Sequence, residues 1–406
     1  MLLICQIMTA IGRFVILREE KTAGAINDNQ PRFNSRLLSI VRALSLFVPP
    51  FVLLFAEVAV AGEDRLSLPS SRSDLAGRSL LLDITSEAGR IYAVGERGHI
   101  LFSEDQGQAW YQAEVPVSVT LTAVHFTDET NGWVVGHDGA ILRSRDGGRS
   151  WQKQLDGFQV NQRVVDHYRQ LLDKAKAQGE EELELIEMAL EEAEFAQQEG
   201  PSRPFLDVLF IDQRHGWAIG SYGLIFETVD GGEHWIPRMD RLENPDGFHL
   251  NAMMRTSRGE LMIAGEAGIL FRSPDNGETW QLLKSPYDGS FYALTELLPS
   301  QALLVMGLRG RGFRSDDYGK SWIELDMGTR TTLTSALQLD SGELIAAGNS
   351  GNLSVSLDGG EQFSSKIQQG RRSYSGLVMS GTRGLILVGQ GGISTLGGRQ
   401  LQGVLR

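Results

Sequence analysis

The chain holds one cysteine, Cys5, in 406 residues. A single thiol excludes an intrachain disulfide, a CxxC redox pair and a thiolate zinc cluster. Basic charge is also short: 38 Lys and Arg against 51 Asp and Glu, a formal net charge of -13. That balance argues against nucleic-acid partners, whose phosphate backbone calls for basic patches. Proline is sparse at 12 and glycine abundant at 47, a composition suited to many tight turns between short strands. The seven histidines (99, 125, 137, 167, 215, 234 and 249) fall at no metal-ligand spacing. There is no P-loop and no G-x-S-x-G elbow, and Gly307-Leu-Arg-Gly-Arg-Gly312 is Gly-rich but does not open a helix. No metal, small-molecule cofactor or catalytic residue is therefore expected.

Long apolar runs are scarce too. The one example, Leu44 to Ala61, is interrupted by Pro49-Pro50 and Glu57, which makes it a poor permanent membrane span. Arg36 and Arg42 precede it and Ala59-Val60-Ala61 ends it, the order of a secretory signal with cleavage after Ala61. An uncleaved anchor is the alternative. No cysteine sits at the cleavage point to carry a lipid. Residues 1-62 are read as an N-terminal extension and signal peptide, and the protein as exported, to a periplasm in a bacterium.

What remains is governed by a repeat. Ser103-Glu-Asp105-Gln-Gly107-Gln-Ala-Trp110 recurs around Asp146 with Trp151, Asp230 with Trp235, Asp275 with Trp280 and Asp317 with Trp322. A sixth copy, at Asp358, ends in Phe363. The pattern is [ST]-x-D-x-G-x-x-[WF], the Asp box. Before each box runs a G-x-x-G element, with Gly pairs at 95/98, 136/139, 220/223, 265/268, 307/310 and 348/351, and a seventh pair at 389/392 has no box after it. A period near 42 with four short strands per unit predicts an all-β, seven-bladed β-propeller over residues 63-406. The box residues are expected to be structural: Ser or Thr and Asp bond the turn's own N–H groups, Gly takes a positive φ, and the aromatic residue packs between sheets. A calcium site is the minor alternative. For ring closure, two segments are candidates for the outer strand of the seventh blade: residues 65-70 (RLSLPS) or, locally, residues 400-405.

The interval between Asp146 and Asp230 is about double the others and hides an insertion, residues 157-203. Val160, Val164, Tyr168, Leu171 and Ala175, then Leu183, Ile186, Leu190 and Ala193, fall at helical spacing and predict a helical hairpin. Glu180 to Glu199 carries nine Glu and no basic residue, so this hairpin is either a solvated arm packed on the rim or a partner-docking arm or lid over the central channel. Strands alternate direction, so the Asp boxes share one face with the turns joining each blade's first two strands. The G-x-x-G turns share the other face with the links between blades, and so with the insertion. That second face carries the variable side chains, among them Arg97, His137, Tyr222 and Arg309. Arg309, Arg311 and Arg314 gather within six residues as a candidate anion-binding patch. Candidate binding residues are thus Arg97, His137, Tyr222, Arg309 and Arg311.

The combined repeat resembles the photosystem II stability/assembly factor family, best at Asn131-Gly132-Trp133 through Leu142 and at Gly216-Trp217 through Ile225. The resemblance spans roughly residues 79-396 apart from the insertion. It implies a seven-bladed, exported, non-catalytic factor that assists assembly of a membrane complex, located in a thylakoid lumen if the source is photosynthetic. Its partner would be a membrane-associated protein, bound through an Arg patch that Arg97, Arg309 and Arg311 echo. The insertion and the missing lipid-bearing cysteine depart from the family pattern. The alternative reading is a sialidase-like glycoside hydrolase or a carbohydrate-binding propeller, since Asp boxes occur there too. The first unit offers only Arg78, Arg90 and Arg97 to clamp a substrate carboxylate.

Overall fold

A computed structural model describes residues 64-180, 183-381 and 384-406. The signal segment, its cleavage point after Ala61, and Cys5 lie outside the described residues. Within them, seven antiparallel sheets follow one another, six of four strands and the last of three. Each sheet is a meander whose strands pair in chain order, so each repeat folds on itself before it meets a neighbour. The first blade comprises Leu81–Glu87, Arg90–Gly95, Ile100–Ser103 and Tyr111–Gln112. The second comprises Leu121–Phe126, Gly132–Gly136, Ile141–Ser144 and Gln152–Leu155. The second strand of each blade is buried on both sides, as at Gly132–Gly136 and Leu261–Gly265, which explains the near-continuous apolar runs there.

Blades stack through side-chain walls. Between the first two blades Tyr92 stacks on Phe126 at 3.7 Å, and Trp151 of the Asp box meets Phe126 edge-on at 5.8 Å. The next wall repeats the device: Trp133 stacks on Phe210 at 3.6 Å, and Trp235 meets Phe210 edge-on at 5.9 Å. Around the channel, inner strands are joined by polar side chains that bond the next blade's backbone. Thr122 Oγ1 donates to Phe205 O (2.8 Å), Asn251 Nδ2 to Phe291 O (2.9 Å) and Thr334 Oγ1 to Tyr374 O (2.8 Å). Asp83 Oδ2 accepts Val124 N–H at 2.9 Å and Asp207 Oδ2 accepts Met253 N–H at 2.7 Å.

The ring closes differently from either expectation. Residues 65-70 do not join the seventh sheet. Asp64 caps a tight turn there, accepting Leu66 N–H at 3.1 Å, and the segment runs along the link between the first two blades. It is held by Ser118 N–H to Arg65 O (2.9 Å) and Ser70 N–H to Val115 O (3.0 Å), with Leu66 buried. Residues 400-405 do not form a strand either: helix Gly398–Val404 occupies the outer position, burying Val404 against the cluster of Ile345, Val355 and Leu385. Closure comes from inner strands packed side by side. Ser375 Oγ donates to Leu81 O (2.8 Å), Ile393 N–H bonds Gly77 O (3.0 Å), and Ile84, Ile91, Val378 and Ile386 form a common cluster.

The insertion forms two antiparallel helices, α1 (Gly157–Gln178) and α2 (Glu184–Glu199). Asp156 starts α1 with a capping box, exchanging hydrogen bonds with Gln159, and Gly179 ends it at φ 73°. Val160, Val164 and Val165 of α1 and Ala193 of α2 bury against the wall containing Trp133, Phe210 and Trp235. Asn161 fixes the pair by donating to Ala196 O (3.0 Å) and Gly200 O (2.9 Å).

Candidate binding face

The two kinds of turn are built by different rules. In all six Asp boxes the hydroxyl donates to the Asp carboxylate at 2.7 to 2.9 Å and accepts the Gly N–H at 2.7 to 2.9 Å. Asp Oδ1 also accepts the N–H four residues on, at 2.8 to 3.0 Å. Donation by the Ser321 hydroxyl and N–H holds Asp317 down to about 2. At least one oxygen of each box carboxylate is thus engaged within its own turn. These turns are tied to the blades' first hairpins, as Gly147 N–H to Thr130 O (3.0 Å) and Gly231 N–H to Arg214 O (2.7 Å). The box aromatics differ in burial: Trp151 and Trp235 are fully covered, while Trp110, Trp280, Trp322 and Phe363 are partly exposed.

Each G-x-x-G turn is stitched to the link entering its own blade. The N–H of the first x residue bonds the carbonyl just before the inner strand in all seven copies, for example Glu96 to Leu80 O (2.9 Å), His137 to Thr120 O (2.8 Å) and Leu308 to Ser290 O (2.9 Å). That carbonyl explains the first glycine: a Cβ on Gly95 would stand 2.1 Å from Leu80 O, and on Gly136 2.4 Å from Thr120 O. The second x residue sits in the left-handed region, at φ 59° for Arg97, 55° for Tyr222 and 59° for Arg309. Few L-residues occupy that region without a reason. Here the turn holds these side chains outward on its tip.

The insertion rises on this same face, with Gly157 packed on the backbone of Asp138 and Gly139.

The candidate residues do not form one cluster. Arg97 and Arg309 are exposed and have no ion-pair partner among the described residues. Arg311 is paired with Glu324 of the adjacent outer strand, 6.0 Å from the Tyr287 ring centre. Arg314 lies at the opposite end of its strand, donating to Gly359 O (3.1 Å) and pairing with Asp316 at 2.9 Å, so it belongs to the box face. His137 is half-buried beside Asp138, and burial lowers its pKa. Tyr222 belongs to a separate group: Arg203 stacks over its ring at 4.9 Å, and its N–H bonds His249 Nδ1 at 3.1 Å.

Four arginines that the repeat does not mark complete a basic arc. Arg330 adjoins Gly310, Arg371 adjoins Gly351, and Arg372 and Arg78 adjoin Gly391 and Gly392. All four are exposed and without an ion-pair partner among the described residues. With Arg309 and Arg97 they run from the fifth blade through the seventh to the first. Arg330, Arg371 and Arg372 come from links between blades and Arg78 from the segment entering the first blade, which is why the repeat does not predict them. The other half of the face carries Asp138, Tyr222 and Glu266 on its turns and the Glu-rich α2, with Arg203 beside Tyr222. Among the described residues, no group of three or more His, Cys, Asp or Glu is placed to hold a metal ion, and no helix is long and apolar enough to cross a membrane.

Comparison with known proteins agrees with this architecture. The chain is similar to the photosystem II assembly lipoprotein Ycf48 of Synechococcus sp. (strain CC9902), 37% identical over 29% of this chain and 35% of that one. It is 24% identical to the photosystem II assembly protein Ycf48 of Thermosynechococcus vestitus, over 70% of this chain and 83% of the relative. A solved structure described as YCF48 bound to D1 peptide superposes with a TM-score of 0.56 at 17% identity, covering 80% of this chain and 98% of that one, a likeness of fold. The family model described as "Photosynthesis system II assembly factor YCF48" matches residues 108–170 and 192–392, breaking only within the helical hairpin, and the chain belongs to that family.

Proposed function

We propose that this chain is an exported, non-catalytic assembly or stability factor that binds a membrane-associated protein partner through the arginine arc of its G-x-x-G face. The observation that carries this reading is the arc itself. Six arginines without an ion-pair partner among the described residues gather on one face of a chain of net charge -13, two on G-x-x-G turns and four on the segments beside them, against the overall charge balance. Guanidinium groups at this density suit carboxylates, as an acidic segment or a chain terminus. Family membership supplies the class of partner: relatives are named for photosystem II assembly, and a fold relative holds a D1 peptide. Exposed Arg309 and Arg97 are proposed as contacts; Arg311, Tyr222 and His137 are proposed as flanking residues. Export follows from the Leu44 to Ala61 segment and from relatives named as lipoproteins, with removal after Ala61 proposed for this chain. A glycoside-acting enzyme is not favoured by a family named for assembly.

The test is a fluorescence-anisotropy titration with a labelled D1 peptide. The triple variant Arg309→Ala, Arg330→Ala, Arg371→Ala should bind at least about tenfold more weakly, and wild-type affinity should fall with salt. Equal binding by wild type and variant would remove the arc from the account.

A further inference from the structure

Helix α2 carries an apolar stripe that none of the described residues covers. Leu185, Met188 and Phe195 are 73%, 59% and 59% exposed. Steps of three and seven residues put them on one flank of the helix. The buried face of α2 is made by other residues, Ala193 and Ala196, with Leu190 packed against the same wall. The stripe is bordered by carboxylates. Glu184, Glu191 and Glu199 are exposed and have no ion-pair partner among the described residues. Glu192 within the stripe reaches Arg203 at 3.1 Å, and Arg203 in turn stacks over Tyr222, which is itself 53% exposed. The stripe is therefore continuous with the turn tip of the third blade. On the other flank, Glu194 and Glu187 are engaged by Arg169 (2.6 Å) and Lys176 (3.4 Å) of α1. The family match breaks off at 170 and resumes at 192, so Leu185 and Met188 fall in the gap and Phe195 lies within the resumed match.

A solvated arm has no use for three large apolar side chains in register, and a stripe rimmed by free carboxylates is repelled by anionic lipid. We infer that the Leu185–Met188–Phe195 stripe with Tyr222 is a second docking surface, which takes a basic amphipathic helix of a partner protein. The apolar face of that helix covers the stripe, and its Lys or Arg residues meet Glu184, Glu191 and Glu199. The surface is distinct from the arginine arc and selects partners of opposite charge, so the two halves of one face hold two segments at once.

The probe is a synthetic amphipathic Lys/Leu peptide of about 18 residues, or five helical turns, with a scrambled peptide of the same composition and a Glu/Leu analogue as controls. Titrated against the full chain, the amphipathic basic peptide should bind, and the two controls should bind at least about tenfold more weakly. Met188→Asp with Phe195→Asp should reduce binding by about tenfold or more, and Glu184→Gln with Glu191→Gln should flatten its salt dependence. Met188→Gln with Phe195→Gln gives a milder pair should the aspartates unsettle the helix by circular dichroism. The Arg309→Ala, Arg330→Ala, Arg371→Ala variant should bind the Lys/Leu peptide as wild type does, so failure here and failure of the arc are read separately. Equal binding of the scrambled peptide, binding indifferent to the stripe variants, a concentration-dependent dimer lost in Met188→Asp, or uptake by phosphatidylserine-containing vesicles would each overturn the proposal.

Discussion

The two faces of the ring are made from the same repeat and spend their polar groups in opposite ways. On the box face, the recurring hydroxyl and carboxylate of the six boxed units bond N–H and O–H groups of the same turn, and the aromatic that follows is drawn between blades. Little is left to recognise anything. On the G-x-x-G face the x N–H is committed to the entering link, some first-x side chains such as Glu96 and Glu266 bond that link as well, and tip side chains such as Arg97 and Arg309 are exposed. One motif holds the ring; the other presents whatever residue occupies its tip. The contrast separates stability from recognition, and it makes the two experimentally separable.

The contrast breaks most violently at the buried box aromatics. Trp235→Ala should cost about 3–5 kcal/mol, because it empties the wall shared by Phe210, Trp133 and helix α1. Trp322→Ala, in a partly exposed position, should cost clearly less. Paired thermal or urea melts give the ranking, and equal losses would show that burial is not what the aromatic contributes. A step lower stands Gly136→Ala, whose Cβ would meet Thr120 O at 2.4 Å; a loss of about 2–3 kcal/mol is expected, with the turn's ladder bond disturbed. This marks a structural demand of the proposed binding face.

Acidity sharpens the comparison with signs that differ by site. Asp230 in its box is held to about 2 despite partial burial, chiefly by the His234 N–H and ring. Its contribution is present above the unfolded value near 4 and is lost as pH falls through 2, so Asp230→Ala should cost about 1–2 kcal/mol at neutral pH and less in acid. Asp207 behaves oppositely. Burial in the channel wall, with Asp83 nearby and only partly offset by the Met253 and Val208 N–H groups, pushes it up to about 7. Its raised folded value gives stability that is full below about 4 and fades as pH rises to 7. Asp207→Asn should flatten that slope, by about 1–2 kcal/mol between the two pH values. A variant whose melting curve follows wild type at every pH would show that Asp207 is ordinary.

The repeat was legible because each unit must present the same turn chemistry, so Ser, Asp, Gly and Trp recur wherever a turn recurs. Blade number, blade boundaries, the hairpin and its face all follow from that recurrence. Closure was not legible, because residues 65-70 alternate like a strand while Asp64 folds them into a turn, and because the last residues carry no strand signal against their helix. The proposed binding face was half legible. Arg97 and Arg309 sit on repeat positions and could be named. Arg78, Arg330, Arg371 and Arg372 flank the repeat, and only the packing of Gly310, Gly351, Gly391 and Gly392 against those segments reveals the arc. Proximity in sequence misled at Arg314, because three residues along a strand cross from one face of the disc to the other.

The most direct measurement sets binding and stability side by side in the Arg309→Ala, Arg330→Ala, Arg371→Ala variant. The account predicts a melting transition within about 0.5 kcal/mol of wild type, as for exposed surface changes, together with the loss of D1-peptide affinity. A variant that binds as wild type does, or one that loses affinity only in proportion to its stability, would contradict the division of labour between the faces.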